Sequence, residues 1–95
     1  MFAVTVTFNL KPGAQKAFLP LVTENAVVSL REESGCQQFD VCIGDDPETV
    51  FLYEIYDDQA AFDVHLGTLH FKSFDQATSG MIASKTVQTY TEVIR

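Results

Sequence analysis

The stretch Cys36-Gln37-Gln38-Phe39-Asp40-Val41-Cys42-Ile43-Gly44-Asp45-Asp46-Pro47-Glu48-Thr49-Val50-Phe51-Leu52-Tyr53-Glu54-Ile55-Tyr56 decides how this chain folds. Cys36 to Ile43 reads as a strand with Phe39, Val41 and Ile43 on one face, and Val50 to Tyr56 reads as another. The turn residues Gly44-Asp45-Asp46-Pro47 lie between them, so the two strands form an antiparallel hairpin. Upstream, Ala14 to Ser34 has helical spacing, with Phe18, Leu21, Val22, Val28 and Ser29 on one stripe and Gly35 as a stop. Pro20 inside a helix costs about 3 kcal/mol, so the regular helix is expected to begin near it. Further upstream, Phe2 to Asn9 alternates with Phe2, Val4, Val6 and Phe8 pointing one way, and Lys11-Pro12-Gly13 ends the strand. Downstream, Asp57 or Asp58 caps a helix carrying Ala61, Phe62, Val64 and Leu66. Gly67-Thr68 interrupts it, Thr68 caps a further helix carrying Leu69, Phe71, Phe74 and Ala77, and Gly80 ends that. Thr86 to Ile94 alternates again and forms the last strand.

The order strand, helix, strand, strand, helix in two pieces, strand is the split β-α-β arrangement of a ferredoxin-like α+β domain with an antiparallel sheet, here one domain over residues 1–95. Helices cover one face of such a sheet. In a chain below ~100 residues a second subunit is the economical cover for the other face. A homodimer is expected, with Phe51, Tyr53 and Ile55 meeting the partner beside Ala3, Thr5 and Thr7.

Six Lys plus Arg against thirteen Asp plus Glu give a net charge of −7, a poor match to nucleic acid or anionic membranes. A hydrophobic fraction of 46% is too high for an acidic disordered segment. No apolar run approaches the roughly 18 residues of a membrane span. No basic segment followed by an apolar stretch marks a signal peptide, so a cytoplasmic protein is expected. Cys36 and Cys42 on one strand would stand about 20 Å apart, too far to pair, and have no zinc-ligand spacing. They read as reduced, structural thiols. Phosphate loops, nucleophile elbows and dinucleotide fingerprints are absent, which leaves chemistry without a nucleotide-type cofactor.

Three polar residues interrupt apolar stripes, where burial is costly without partners. Asn25 lies seven residues after Phe18, four after Leu21 and three after Val22. Glu54 shares a strand face with Leu52 and Tyr56, and His65 follows Ala61 by four and Phe62 by three. Taken singly, each has an ordinary structural use: a satisfied core amide, a cross-strand partner, a helix-edge imidazole. Together, on facing elements, they can converge on one pocket, with His65 as a base oriented by Glu54 and Asn25 holding a carbonyl or oxyanion. His70 follows His65 by five across a helix break, which is not the spacing of a helical metal pair, and no metal site is expected. Asp45, Asp46 and Glu48 read as a charged hairpin tip.

These residues also carry a family resemblance. Asn25-Ala26, Ser29, Glu32-Glu33-Ser34-Gly35-Cys36 and Phe39-Asp40-Val41 resemble the first half of an antibiotic biosynthesis monooxygenase domain. Tyr53-Glu54-Ile55-Tyr56-Asp57-Asp58, Ala60-Ala61-Phe62, His65 and Thr68-Leu69-His70-Phe71-Lys72-Ser73-Phe74 resemble its second half. The resemblance implies a dimeric α+β barrel with a pocket between sheet and helices. It also implies one of several reactions: cofactor-free oxidation of quinols or anthrone-like phenols, isomerisation of phosphorylated autoinducer-2 breakdown products, or haem degradation. The haem branch uses an Asn, a Trp and a His where this chain has Val6, Tyr56 and Asp75, so that reaction is disfavoured.

A phosphorylated substrate wants cations, and of the chain's four Lys and two Arg only Lys72 falls near the expected site. A neutral aromatic substrate suits Phe39, Tyr56, Phe71 and Phe74, with His70 at the pocket mouth. The expectation is a cofactor-independent monooxygenase that uses O₂ as co-substrate on a quinol or related phenol. The alternatives are an isomerase of a small dicarbonyl and a non-catalytic dimeric binding module.

Overall fold

Alternation in the first strand sets the layer structure. The computed structural model describes all 95 residues, and in β1 (Phe2–Leu10) the side chains of Phe2, Val4, Val6, Phe8 and Leu10 are all buried. The remaining elements are α1 (Gln15–Glu32), β2 (Cys36–Ile43), β3 (Thr49–Tyr56), α2 (Gln59–Leu66), α3 (Leu69–Thr78) and β4 (Ile82–Tyr90). The strands form one antiparallel sheet in the order β2-β3-β1-β4, the ferredoxin-like arrangement. In register, Val4 faces Glu54 and Glu54 faces Phe39. Three strands therefore bring their inward side chains to one level of the sheet. The helical layer is anchored by Phe8, Phe18 and Phe74, whose ring centroids lie 5.1, 5.8 and 6.2 Å apart pairwise. Edge-to-face contacts of this kind add to the burial of three large rings.

Helix α1 begins before Pro20, not near it. The turn into it requires Gly13, which takes φ +79°. The missing Pro20 N–H leaves the Lys16 carbonyl without its usual donor, but both residues are exposed and water can serve there. Phe18, fully buried, holds the first turns against the sheet. Tertiary packing thus outweighs the local penalty.

The last strand also lies earlier than its alternation suggests, at Ile82–Tyr90 instead of Thr86 to Ile94. Its bounds follow its partner: Ala3 pairs with Tyr90, and β1 has almost no residues left to pair beyond that point. Residues Ala83 to Tyr90 are exposed, so the helices leave the sheet bare along β4. On the face away from the helices, Ala3 and Ile55 are already buried within the single chain, while Thr5, Thr7, Phe51 and Tyr53 keep accessible surface.

The side-chain oxygen of Asp58 accepts from the Ala61 N–H at 2.8 Å and starts α2. Thr68 Oγ1 accepts from the Phe71 N–H at 3.2 Å and starts α3. The same hydroxyl donates to the His65 carbonyl at 2.8 Å, stitching the two helices across Gly67. α2 closes down on the start of β2, where a Cβ on Gly35 would stand 2.6 Å from Ala61 Cβ.

Gly35→Ala should therefore cost about 1–3 kcal/mol by overpacking and lower Tm by roughly 5–15 °C. Gly80→Ala, where nothing lies within 4 Å, should leave Tm almost unchanged. Thermal unfolding of the two variants checks this, and equal Tm values would refute the close approach.

Candidate active site

Asn25, Glu54 and His65 share one cavity of about 250 Å³ between the sheet and the three helices. Phe39, Phe71 and Phe74 also form its wall. Phe62 and Leu66 of α2 close it further, and Lys85 and Val87 line it where β4 is exposed. Tyr56 and His70 stand outside this wall. Tyr56 is buried behind it, and His70 faces a second, open cleft of about 840 Å³ on the outer side of α2. Lys72 is exposed and not in the cavity wall, so Lys85 is the cation nearest a ligand.

His65 sits in the last turn of α2 with only 2% of its surface exposed. Its ring is boxed by Phe71, Tyr56 and Phe39 at centroid distances of 5.2, 5.5 and 5.9 Å. Its orienting partner is Glu33 and not Glu54: Nδ1 lies 2.8 Å from Glu33 Oε2. A carboxylate only accepts, which assigns the ring hydrogen to Nδ1 and leaves Nε2 an unprotonated acceptor. Ser29 Oγ stands 3.5 Å from the same Nδ1, while its own hydrogen goes to the Asn25 carbonyl at 2.7 Å. Burial pushes the His65 pKa down and Glu33 pulls partly against it, so the imidazole is neutral at pH 7.

Glu33 is not among the residues that interrupt the apolar stripes, although its spacing carries a signal. Asn25, Ser29 and Glu33 recur every four residues, so the carboxylate continues the buried stripe of α1. Because α1 ends there, Glu33 reaches over the α2–α3 break and meets both imidazoles, with His70 Nε2 at 2.5 Å from the same Oε2. Its other oxygen, Oε1, is buried without a partner.

Glu54 makes a different contact. The Tyr56 hydroxyl donates to Glu54 Oε1 at 2.6 Å. Burial raises the Glu54 pKa to about 7, partly offset by the Tyr56 hydrogen bond and reinforced by the charge on Glu33. Burial, together with the neighbouring Glu54 charge, also raises the Tyr56 pKa, so that hydroxyl stays protonated. The cavity thus has a carboxyl group that can be a neutral hydrogen-bond donor near neutral pH, as a carboxyl in an apolar enclosure can be. Asn25 presents a buried side-chain oxygen with no protein partner, which a ligand hydroxyl could satisfy. Burial, then the charges of Glu33 and Glu54, push the Cys36 thiol up to about 12, too high for a nucleophile. Cys36 and Cys42 are both free thiols on β2.

The family profile described as antibiotic biosynthesis monooxygenase matches residues 1–77. A structure from Nitrosomonas europaea, provisionally named an antibiotic biosynthesis monooxygenase, is 25% identical with a TM-score of 0.93, covering 99% of this chain and 100% of its own. Another, described as an antibiotic biosynthesis monooxygenase, is 28% identical with a TM-score of 0.88, covering 99% of this chain and 100% of its own. A Caulobacter crescentus structure at 20% identity and a TM-score of 0.91, covering 98% of this chain and 90% of its own, shares the fold. A search of curated proteins finds no match. No helix is long and apolar enough to cross a membrane.

The raised Glu54 pKa makes stability pH-dependent. Glu54 ionises near 4.5 in the unfolded chain and near 7 when folded. Between those values only the unfolded state has lost the proton, so its contribution to stability falls as pH rises through the window and levels off above it. Glu54→Gln removes this loss. Unfolding from pH 4.5 to 8 should show the variant gaining on wild type by up to ~3 kcal/mol, and parallel curves would contradict the shift.

Proposed function

The chain belongs to the antibiotic biosynthesis monooxygenase family, and we propose that it oxidises a quinol or related electron-rich phenol with O₂, without an organic cofactor or metal in the reaction. The observation that carries this reading is the apolar cavity of about 250 Å³ with the neutral His65 imidazole in its wall, fixed through Nδ1 by Glu33. The volume falls just below the ~300–1,000 Å³ of sites for drug-sized ligands, which favours a substrate of one or two rings.

In this reading His65 Nε2 takes the phenolic proton, and the phenolate passes one electron to O₂. Recombination of the two radicals forms a carbon–oxygen bond, and the hydroperoxide that results on protonation loses water to leave a carbonyl. One oxygen atom enters the product and the other leaves as water, so no external reductant is consumed. Glu54, protonated, donates a hydrogen bond toward the substrate oxygen, and the side-chain amide N–H of Asn25 donates to the same oxygen. Phe39, Phe71 and Phe74 pack the rings and exclude water that would divert the intermediate.

Lys85 supports a second reading. A cation in the cavity wall could hold the phosphate of a small dicarbonyl, with His65 moving a proton between carbons as an isomerase. Oxygen uptake separates the two, because only the oxygenase consumes O₂. The working unit we propose is a homodimer through the sheet face carrying Thr5, Thr7, Phe51 and Tyr53. Sedimentation should give twice the chain mass, and Phe51→Glu should shift it toward the single chain. A wild-type monomer would exclude the dimer.

An oxygen electrode with a panel of quinols and phosphorylated ketoses tests the reaction. Stoichiometric O₂ uptake with a quinol is expected, and ketose conversion without O₂ uptake would replace this reading with the isomerase. Against the best quinol, His65→Ala should lower kcat by ~10² or more and Glu33→Gln by ~10-fold. Near-normal turnover in a folded His65→Ala variant would remove the base.

A further inference from the structure

Glu33, His65 and His70 come from three different helix ends. Glu33 caps the C-terminus of α1, His65 lies in the last turn of α2, and His70 is the second residue of α3. The break at Gly67-Thr68 removes the two histidines from any regular helical spacing but turns both rings onto one carboxylate. One nitrogen from each imidazole and one carboxylate oxygen lie within 4.8 Å of one another. The side chains of His65, Glu33 and His70 are 2%, 6% and 18% exposed, so the cluster sits in the protein with one edge reachable from outside.

We infer that this cluster is a binding site for a borderline divalent transition-metal ion of the Zn²⁺, Co²⁺ or Ni²⁺ class, held by His65 Nδ1, His70 Nε2 and the Glu33 carboxylate. Two imidazoles and a carboxylate form a donor set suited to such ions, whereas Ca²⁺ and Mg²⁺ prefer oxygen alone. A second observation points the same way. Glu33 Oε1 is buried with no hydrogen-bond partner, a lone pair that a cation would satisfy and a hydrogen-bonded pair of imidazoles does not.

The approach is suited to a cation as well. The outer cleft of about 840 Å³ is lined by Glu32, Glu33, Asp57, Asp58 and His70, with no Lys or Arg in its wall. Its acidic lining raises the local concentration of cations at the exposed edge of the cluster. Metal–ligand bonds of about 2.0–2.2 Å require the three donors to spread from their present hydrogen-bonded separations. His70, at the start of a helix and partly exposed, is the one free to move.

The site has a chemical consequence for the cavity on the other side of His65. A metal on Nδ1 obliges the neutral ring to carry its hydrogen on Nε2, so the cavity wall changes from a proton acceptor to a donor. Resting on the oxygenase reading, this makes the metal-loaded form the inactive one, with a cation in the outer cleft controlling a base in the inner cavity.

The test is a titration of the full, chelator-treated chain with Co²⁺, read by visible absorption, followed by displacement with Zn²⁺. One ion per chain is expected, with the absorption of a low-coordinate cobalt centre. His70→Ala and Glu33→Gln should each weaken binding by 10-fold or more, and Asp45→Asn at the hairpin tip should leave it unchanged. If Glu33→Gln does not fold, His70→Ala decides the matter alone, with Zn²⁺-induced shifts of the His65 and His70 imidazole signals in the wild-type protein as the second readout. Absence of saturable binding, or binding indifferent to His70→Ala, overturns the site. Neither measurement involves turnover, so the outcome is independent of the proposed oxygenase activity.

Discussion

A single buried carboxylate sets the geometry on which the rest of the site depends. Glu33 ends α1 and holds His65 Nδ1 at 2.8 Å and His70 Nε2 at 2.5 Å through one oxygen. A charge-assisted contact of this kind, largely removed from water, is stronger and more directional than its surface counterpart. It ties the end of the first helix to the junction of the second and third. Without it, the α2–α3 break would have Thr68 and local packing to set its angle, and His65 could turn either nitrogen to the cavity. Because Glu33 accepts at Nδ1, Nε2 is left as the basic atom.

The cavity separates its ionisable groups by environment. Glu33 meets imidazoles and stands against the acidic outer cleft, while Glu54 meets a tyrosine hydroxyl in an apolar wall and is pushed up to about 7. One carboxyl therefore aligns a base, and the other can remain a neutral donor. That division resembles the way enzymes obtain an acid and a base from similar side chains. The apolar lining that raises Glu54 also depresses His65, so the rings that exclude water and the groups that move protons depend on one another.

Much of this was legible in the sequence because period and face are strongly determined. The alternation of Phe2, Val4, Val6 and Phe8 gave β1 its buried face, and Glu54 landed inward because Leu52 and Tyr56 did. Asn25 and His65 followed from helical spacing in the same way. Helix α1 runs through Pro20 because Phe18 is fully buried and Pro20 faces water, neither of which local propensity shows. The last strand stops at Tyr90 although Thr91 and Val93 continue its alternation, because β1 is too short to pair them. Glu33 is masked by the charged run Arg31-Glu32-Glu33, which looks like a solvated helix end. The four-residue spacing from Asn25 and Ser29 separates Glu33 from Glu32, and the tertiary approach of α2 and α3 supplies its two imidazole partners.

Glu33 fixes the tautomer of His65 and so leaves a free Nε2 for the cavity. Long-range ¹H–¹⁵N NMR of the imidazole nitrogens in metal-free protein at neutral pH tests this most directly. A protonated Nδ1 and an unprotonated Nε2 are expected for His65 in the wild type, with the preference weakened in Glu33→Gln. A His65 ring protonated at Nε2, or one whose tautomer is unchanged by Glu33→Gln, would contradict it.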